Sequence, residues 1–254
     1  CMRGGKFPNR AMEAHLRMAH ANWDIIKAMN ESGAFGPKIP VSHFKNVEAC
    51  VDCAVSKAKR AVKPGASTRV PQYCWEQFSM DLITIKHAGR GGEKYNLLFW
   101  DKKSGAIMER SIKRKSDVVQ TVELFLSQIV AKSVAKGTDI VCQILRADNA
   151  KEFLSRAMDK VCRKYSVSRE FSCAFSSFQN GGAERAIQSV CQRARVIMAA
   201  ANTPMRFWPD ALTFAVLVHN RVPCKSRGML SPYEMEFGVK PDVSKIHIFG
   251  SRCF

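Results

Sequence analysis

The fold is decided by the stretch Phe78-Ser79-Met80-Asp81-Leu82-Ile83, in which one acidic residue stands among apolar neighbours. The stretch is rich in residues that favour β-strands, so it predicts a strand that lies in the protein core. A carboxylate inside such a strand is costly unless a partner compensates its charge. Asp81 is therefore expected either to pair with a basic side chain or to bind a cation.

The pattern around this strand is three strands in a row, followed by helices and strands in alternation. Ser116 is predicted to cap the helix after the third strand, because apolar residues follow it at helical spacing. The other predicted elements are strands over 78–85, 95–100, 106–112 and 139–145, and helices over 153–165, 183–201 and 205–221. Elements in this order predict an α/β fold in which helices pack on a mixed sheet.

Two more acidic residues stand where they could join Asp81. Asp148 ends the fourth predicted strand, and Glu184 opens a helix after a loop rich in Gly, Ser and Asn. Three carboxylates at one edge of a sheet suit Mg²⁺ or Mn²⁺, because hard cations prefer oxygen ligands. Two such ions activate a nucleophile and stabilise the leaving oxygen of a phosphodiester. Each acid also has a simpler explanation, as a helix cap, a first-turn acid or a salt-bridge partner.

A second candidate metal site lies near the N-terminus and consists of His15, His20, Cys50 and Cys53. Two imidazoles and two thiolates are a favoured tetrahedral set for Zn²⁺. On an ideal helix the two histidines would point about 140° apart, so the helix is expected to end between them. Four ligands leave no open position, which predicts a structural ion that contributes to folding. The alternatives are a surface histidine pair beside an unrelated cysteine pair, or a redox-active Cys-x-x-Cys.

The chain is strongly basic. It has 40 Lys and Arg against 22 Asp and Glu, which gives a net charge of +18 over 254 residues. Such a charge indicates a polyanionic partner, either nucleic acid or an acidic membrane surface. No uninterrupted apolar run approaches the roughly 18 residues of a spanning helix, so we expect DNA and no membrane. With 46% hydrophobic residues, a mainly disordered chain is excluded.

Basic residues cluster in the acid-free stretch 54–72, at 113–115 and along the helix that Glu184 opens. No base-reading motif is evident, so we expect mainly phosphate contacts and an affinity that falls steeply with salt. The stretch 54–72 is equally well explained as a solvated spacer. The side chains predicted to contact DNA are Lys151, Arg185, Gln188, Gln192 and Arg195.

Motifs in a fixed order extend from residue 15 to the end of the chain. They are His15-x4-His20 with Cys50-x2-Cys53, Asp81, Arg146-Ala147-Asp148-Asn149-x2-Glu152-Phe153, Gln179-Asn180-Gly181-Gly182-Ala183-Glu184-Arg185, Phe207-Trp208-Pro209-Asp210-Ala211, His219-Asn220-Arg221-Val222-Pro223, Ser231-Pro232-Tyr233-Glu234 and Phe249-Gly250-Ser251-Arg252-Cys253-Phe254. This ordered set resembles the integrase of copia-type LTR retrotransposons.

The resemblance implies an RNase H-like mixed five-stranded sheet flanked by helices, preceded by a small helical HHCC zinc-binding domain. It implies that Asp81, Asp148 and Glu184 are the catalytic residues and bind two Mg²⁺ or Mn²⁺ ions. The four His and Cys side chains would bind the structural Zn²⁺. The implied divisions are a zinc-binding domain over 10–56, a basic linker over 57–72, a catalytic core over 73–238 and the start of a C-terminal extension over 239–254.

The implied function is DNA integration. A metal-dependent phosphoryl transfer would process the 3′ ends of element DNA and join them to host DNA. The expected partners are these two DNAs, further copies of the chain, and the reverse transcriptase of the same polyprotein. The chain would be an internal segment of a Gag-Pol polyprotein, which accounts for the absence of Met at position 1. Its expected location is intracellular, in virus-like particles in the cytoplasm and in the nucleus.

The chain departs from the family pattern in three places. Ala150 and Lys151 stand where two glycines are usual, Ser176 stands where a proline is usual, and 102–103 are both Lys where the family has an Asp and an aromatic residue. These departures support an alternative, a catalytically inactive, decayed or co-opted DNA-binding remnant. A third reading is an RNase H-like nuclease or cut-and-paste transposase, against which the HHCC set argues.

Overall fold

The computed structural model describes residues 9–45, 50–56, 71–135, 142–147, 150, 152–171 and 181–251. These residues fall into two compact units. Those within 1–61 and 188–254 form the first unit, and those within 62–187 form the second. Most of the predicted linker, the loop before Glu184, and both Asp148 and Lys151 lie outside the described residues. The domain boundaries inferred from the sequence stay predictions.

The first unit begins with helices α1 (Arg10–Arg17), α2 (Trp23–Glu31), α3 (Val41–Lys45) and α4 (Val51–Ser56). Asn22 caps α2 as a side-chain acceptor for the amide of Asp24. The helix break predicted between His15 and His20 is confirmed, because α1 ends at Arg17. Ala19 and His20 then take left-handed conformations, with φ of 48° and 59°.

The second unit contains the predicted mixed five-stranded sheet. Its strands are β1 (Gln77–Thr84), β2 (Tyr95–Asp101), β3 (Ile107–Ile112), β4 (Ile144–Ala147) and β5 (Ser168–Phe171). Their order is β3-β2-β1-β4-β5. The β1–β2 and β2–β3 pairs are antiparallel, whereas β1–β4 and β4–β5 are parallel. The strand that carries Asp81 is therefore central, as its apolar sequence predicted.

Helices α5 (Val118–Ala135) and α6 (Arg156–Lys164) belong to the same unit. The ring of Phe125 on α5 stacks on Phe99 of β2 with centroids 3.9 Å apart, inside the main hydrophobic core. The predicted Ser116 cap is wrong. A single 3-10 turn precedes α5, and there the Asp117 carboxylate accepts a hydrogen bond from the amide of Arg114. A charged carboxylate is a stronger acceptor than a hydroxyl, and the Ser116 hydroxyl itself donates to Asp117.

The helical segment Lys115–Ala135 is long and apolar enough, by length and composition, to cross a membrane. The sequence prediction considered only uninterrupted apolar runs, and this helix reaches the threshold through its average. One of its faces is buried against the sheet through Val122, Phe125, Leu126 and Ile129. A helix in the core of a folded domain can have the same length and apolar composition, because its apolar face packs against the sheet.

Helix α7 (Gly181–Ala200) begins in the second unit and continues into the first, followed by α8 (Trp208–His219) and α9 (Pro232–Phe237). Within the first unit, the C-terminal segment contacts the N-terminal helices. The Arg17 guanidinium at the end of α1 donates to the carbonyl oxygens of Ile246 at 2.7 Å, Ser244 at 2.7 Å and Val243 at 3.2 Å. These charge-assisted bonds connect two stretches that are far apart in the sequence.

Candidate metal centres and nucleic-acid interface

The structure brings His15, His20, Cys50 and Cys53 together, with one ligand atom of each within 4.8 Å of the others. Cys53 Sγ lies 3.3 Å from His15 Nε2 and 3.5 Å from His20 Nδ1, and the latter is 3.2 Å from Cys50 Sγ. Around tetrahedral zinc, bonds of about 2.0 Å to nitrogen and 2.3 Å to sulfur separate N and S by roughly 3.5 Å. The four side chains therefore fit a zinc ion.

The backbone near α1 sets the orientation of both imidazoles. His15 Nδ1 is 2.8 Å from the carbonyl oxygen of Ala21, to which it donates, so Nε2 is left as the ligand atom. The His15 ring also stacks on Trp23 with centroids 4.3 Å apart. His20 reaches the cluster because Ala19 and His20 adopt left-handed conformations. Each such conformation costs on the order of 1–2 kcal/mol, which ion binding would offset.

The two thiols come from the start of α4. Cys50 directly precedes the helix and Cys53 lies in its first turn, and both are half-buried. A spacing of three residues places side chains on one side of a helical turn, so both sulfurs face the histidines. Four protein ligands fill a tetrahedral shell, which is the arrangement of structural rather than catalytic zinc.

The structure describes two of the three predicted catalytic residues. Asp81 is half-buried in the middle of β1, where its backbone pairs with Leu98 of β2. Glu184 is exposed in the first turn of α7. Asp148 directly follows the last residue of β4 in the sequence and lies outside the described residues. Two of the three acids are thus placed in the second unit, and their roles stay predictions.

The register of β1 and β4 agrees with a shared site. Ser79 of β1 pairs with Arg146 of β4, and the two strands are parallel. Asp81 and Asp148 each come two residues later in the sequence than this pair. Asp148 itself lies outside the described residues, so its position beside Asp81 stays a prediction.

Two ion pairs involve residues close in sequence to Asp148, namely Arg146 and Glu152. Arg146 Nε is 2.6 Å from Glu170 Oε2 on β5. Lys115 Nζ is 2.9 Å from Glu152 Oε1, and this hydrogen bond holds the pKa of Glu152 below its usual value. Both acids therefore already have cationic partners.

Asp101, at the end of β2, is a completely buried carboxylate, and burial raises its pKa. Its oxygens accept hydrogen bonds from the amides of Trp75 and Ser104, both at 2.8 Å. It also accepts a bond from the Ser104 hydroxyl. Because these donors organise the turn after β2 and the segment before β1, Asp101 has a structural role.

The side chains predicted to contact DNA lie mainly on α7. Arg185, Gln188 and Arg195 are exposed, whereas Gln192 is half-buried and donates to the carbonyl oxygen of Ser56 within the first unit. Lys151 lies outside the described residues. Steps of three, four and three residues place the four α7 positions on one face of the helix. Helix α7 thus has an exposed polar and basic face, on which Gln192 is the less accessible side chain.

Comparison with curated proteins gives transposon polyproteins among the relatives of this chain. A "Retrovirus-related Pol polyprotein from transposon RE2" of Arabidopsis thaliana is 24% identical over 241 residues, covering 94% of this chain and 16% of the relative. A "Retrovirus-related Pol polyprotein from transposon TNT 1-94" of Nicotiana tabacum is 25% identical over 244 residues, covering 94% and 17%. The chain is homologous to part of copia-type retrotransposon Pol polyproteins. It spans about a sixth of the length of these relatives.

Comparison with solved structures shows the fold. A chain of the simian T-cell lymphotropic virus intasome, solved in complex with PP2A regulatory subunit B56 gamma, matches with a TM-score of 0.52 and 14% identity. The match covers 89% of this chain and 74% of that one. No protein-family model matches the chain. The predicted fold class is confirmed: an RNase H-like mixed five-stranded sheet with flanking helices, and a His/Cys cluster that fits an HHCC domain.

Proposed function

We propose that this chain is the integrase segment of a retrotransposon Pol polyprotein. It is a metal-dependent polynucleotidyl transferase that processes the 3′ ends of element DNA and joins them to host DNA. The observation that carries the proposal is Asp81 on the central strand β1 with Glu184 in the first turn of α7, and in the sequence Asp148 follows β4, the parallel neighbour of β1. Homology to Pol polyproteins over 94% of the chain supports it.

The three carboxylates suit two Mg²⁺ or Mn²⁺ ions, because hard cations prefer oxygen ligands. When bound, such ions activate the attacking oxygen and stabilise the leaving oxygen of an in-line phosphoryl transfer. The protein's own contribution is placement. Backbone pairing with Leu98 of β2 holds Asp81 in the sheet, and the exposed first turn of α7 presents Glu184 where a phosphate can approach.

DNA is the proposed partner, both as element ends and as host target. The net charge of +18 supports it, as does the α7 face that carries Arg185, Gln188 and Arg195. These side chains would contact phosphates, together with Gln192 and Lys151. Phosphate contacts release counterions, so the affinity should fall steeply with rising salt concentration.

The remaining proposals concern the setting in which the chain works. The His/Cys cluster is proposed to bind a structural Zn²⁺. The chain is proposed to act as a homo-oligomer, beside the reverse transcriptase of the same polyprotein, in virus-like particles in the cytoplasm and in the nucleus. Size measurements on the zinc-loaded chain, with and without element-end DNA, test the oligomer directly.

The deciding experiment is an integration assay. The zinc-loaded chain is incubated with labelled element-end duplex, a target plasmid and Mn²⁺, beside D81N, D148N and E184Q. The matched control is E31Q, which alters an exposed acid at the end of α2. We expect shortened and joined products from the wild type and E31Q, and at least a 100-fold loss in the other three, as for removal of a group that stabilises the transition state.

Two outcomes would contradict the proposal. Products from D148N at the wild-type level would exclude these carboxylates as catalytic. Absence of product from the wild type as well as from every variant, with salt-sensitive DNA binding retained, would favour the inactive remnant. E184Q must unfold at the same urea concentration as the wild type, so that lost activity reports chemistry rather than folding.

A further inference from the structure

Helix α7 starts with two glycines, Gly181 and Gly182, although glycine has a lower helix propensity than almost every other residue type. Neither glycine has a positive φ, so backbone conformation does not require glycine at either position. Another constraint must explain the sequence here, two residues before Glu184.

For Gly182 the constraint is the close approach of Trp100. A Cβ atom added to Gly182 would lie 2.8 Å from Cη2, 3.4 Å from Cζ2 and 3.6 Å from Cζ3 of the Trp100 indole. Carbon atoms pack best at about 3.5–4.0 Å, so the first of these distances is a clash. Even the smallest side chain at position 182 would require the helix or the ring to shift.

The ring is poorly placed to shift. Trp100 lies in β2 with only 9% of its surface exposed, and its backbone pairs with Ser79 of β1 and Ile107 of β3. A planar side chain in a packed sheet has few alternative rotamers. The added methyl group would therefore displace the first turn of α7 instead.

Gly181 shows the opposite situation in the same turn. A Cβ atom added there would lie 3.4 Å from Nη1 of Arg185 and 4.0 Å from its Cζ. These atoms are the far end of a long, flexible side chain, which can move at little cost. The two glycines therefore differ in one respect that matters, the presence of an indole ring.

The contact joins the two described parts of the candidate catalytic site. Ser79, the backbone partner of Trp100, is two residues before Asp81 on β1. Gly182 is two residues before Glu184 on α7. Trp100 thus pairs through its backbone with the strand that carries one acid, and its indole contacts the helical turn that carries the other.

We propose that Trp100 is a positioning residue for Glu184: its indole, in contact with Gly182, sets the distance of the first turn of α7 from the sheet. The inference rests on the proposed function, in which Glu184 binds a catalytic metal ion. Relief of the clash requires a shift of about 0.7 Å to reach normal contact. Metal-binding side chains tolerate misplacement of only about 0.5 Å, so this shift is sufficient to matter.

The test compares G182A with G181A in the zinc-loaded chain. Both variants add one methyl group to the same helical turn and raise helix propensity equally. We expect G182A to lose roughly 10- to 100-fold in joined product, as for a misplacement approaching 1 Å. G181A should stay within about twofold of the wild type.

Rescue separates positioning from general damage. Trp100→Phe removes the three ring atoms that the new methyl group would meet. We therefore expect the double variant W100F/G182A to recover most of the activity that G182A loses. A second measurement, titration of Mn²⁺ followed by water proton relaxation, should show weaker binding for G182A and recovery in the double variant. A ring that only fills space would leave Mn²⁺ affinity unchanged.

The results distinguish the two proposals. A wild-type chain that neither joins DNA nor binds Mn²⁺ would overturn the proposed function, and the positioning role with it. An active wild type would overturn only the role of Trp100 if G182A matched G181A in activity and Mn²⁺ affinity. The same conclusion would follow if W100F/G182A showed no recovery, or if G182A unfolded more easily while it kept its Mn²⁺ affinity.

Discussion

His15 and His20 are 2% and 1% exposed, whereas Glu184 is exposed and Asp81 is half-buried. The chain thus carries two candidate metal sites of opposite design. The His/Cys cluster is closed. The distances between its nitrogen and sulfur atoms are those expected around a tetrahedral zinc ion, and a backbone carbonyl fixes one imidazole. The acidic site takes its described residues from a fixed strand and an exposed helical turn. A closed site stabilises a fold, whereas an open one leaves room for a substrate.

The comparison predicts that removal of zinc has the largest effect on stability. The first unit's N-terminal helices are short, and metal binding contributes on the order of 10 kcal/mol in comparable small zinc modules. We expect Cys53→Ser, or a strong chelator, to unfold α1 to α4, as measured by hydrogen exchange of their amides. The matched control is Cys224→Ser, which alters a half-buried cysteine of the same unit outside the cluster. Amide protection that survives chelation would contradict a structural zinc.

A smaller effect is predicted for Arg17, which lies between the two histidines in sequence and binds three carbonyl oxygens of the C-terminal segment. Hydrogen bonds from a charged group contribute about 1.5–3 kcal/mol. We expect Arg17→Ala to lower the free energy of unfolding by this amount in urea, and to expose residues 243–246 to proteolysis. Lys27→Ala, at an exposed position on α2, is the control. Unchanged cleavage in the Arg17 variant would show that the segment is retained by other contacts.

The two regions also differ in how far the sequence predicts them. The His/Cys cluster was predicted from spacing alone, because the Cys-x-x-Cys pair and the short step from His15 to His20 are local features. Strands β1 to β3 were placed within one or two residues, since their apolar and β-branched residues are continuous. Strand β5 was not located. Its four residues include Arg169 and Glu170, whose charges are compensated by Asp159 and Arg146 from elsewhere in the unit.

The contact between Trp100 and Gly182 could not be predicted for a related reason. Neither residue type marks a site, and the clash appears only when the sheet and the start of α7 are placed together. Local sequence pattern predicts which residues are buried. It does not report which two distant residues limit each other's size, because that depends on packing between elements.

The smallest predicted effect concerns the ion pair near the acidic site. Lys115 holds the pKa of Glu152 below its usual value, so this pair stabilises the folded chain once Glu152 is ionised. The contribution is complete above the unfolded pKa of about 4.3 and is lost as the pH falls through the lower folded pKa. The side chain of Lys115 is 52% exposed, so solvent screening limits the stabilisation by this ion pair to roughly 0.5 kcal/mol at neutral pH.

The pair is tested by urea unfolding of Lys115→Met between pH 7 and pH 3, beside Lys94→Met at an exposed position of the same unit. The Lys115 variant should be less stable than the control at pH 7, and the difference should disappear at acid pH because Glu152 is then protonated in both. A difference that persists at pH 3 would mean that Lys115 stabilises the unit through packing of its side-chain stem. If the Lys115 variant lost several kcal/mol of unfolding free energy at pH 7, the contrast between the two candidate metal sites would fail. The region of the acidic site would then stabilise the fold as strongly as a bound zinc would at the His/Cys cluster.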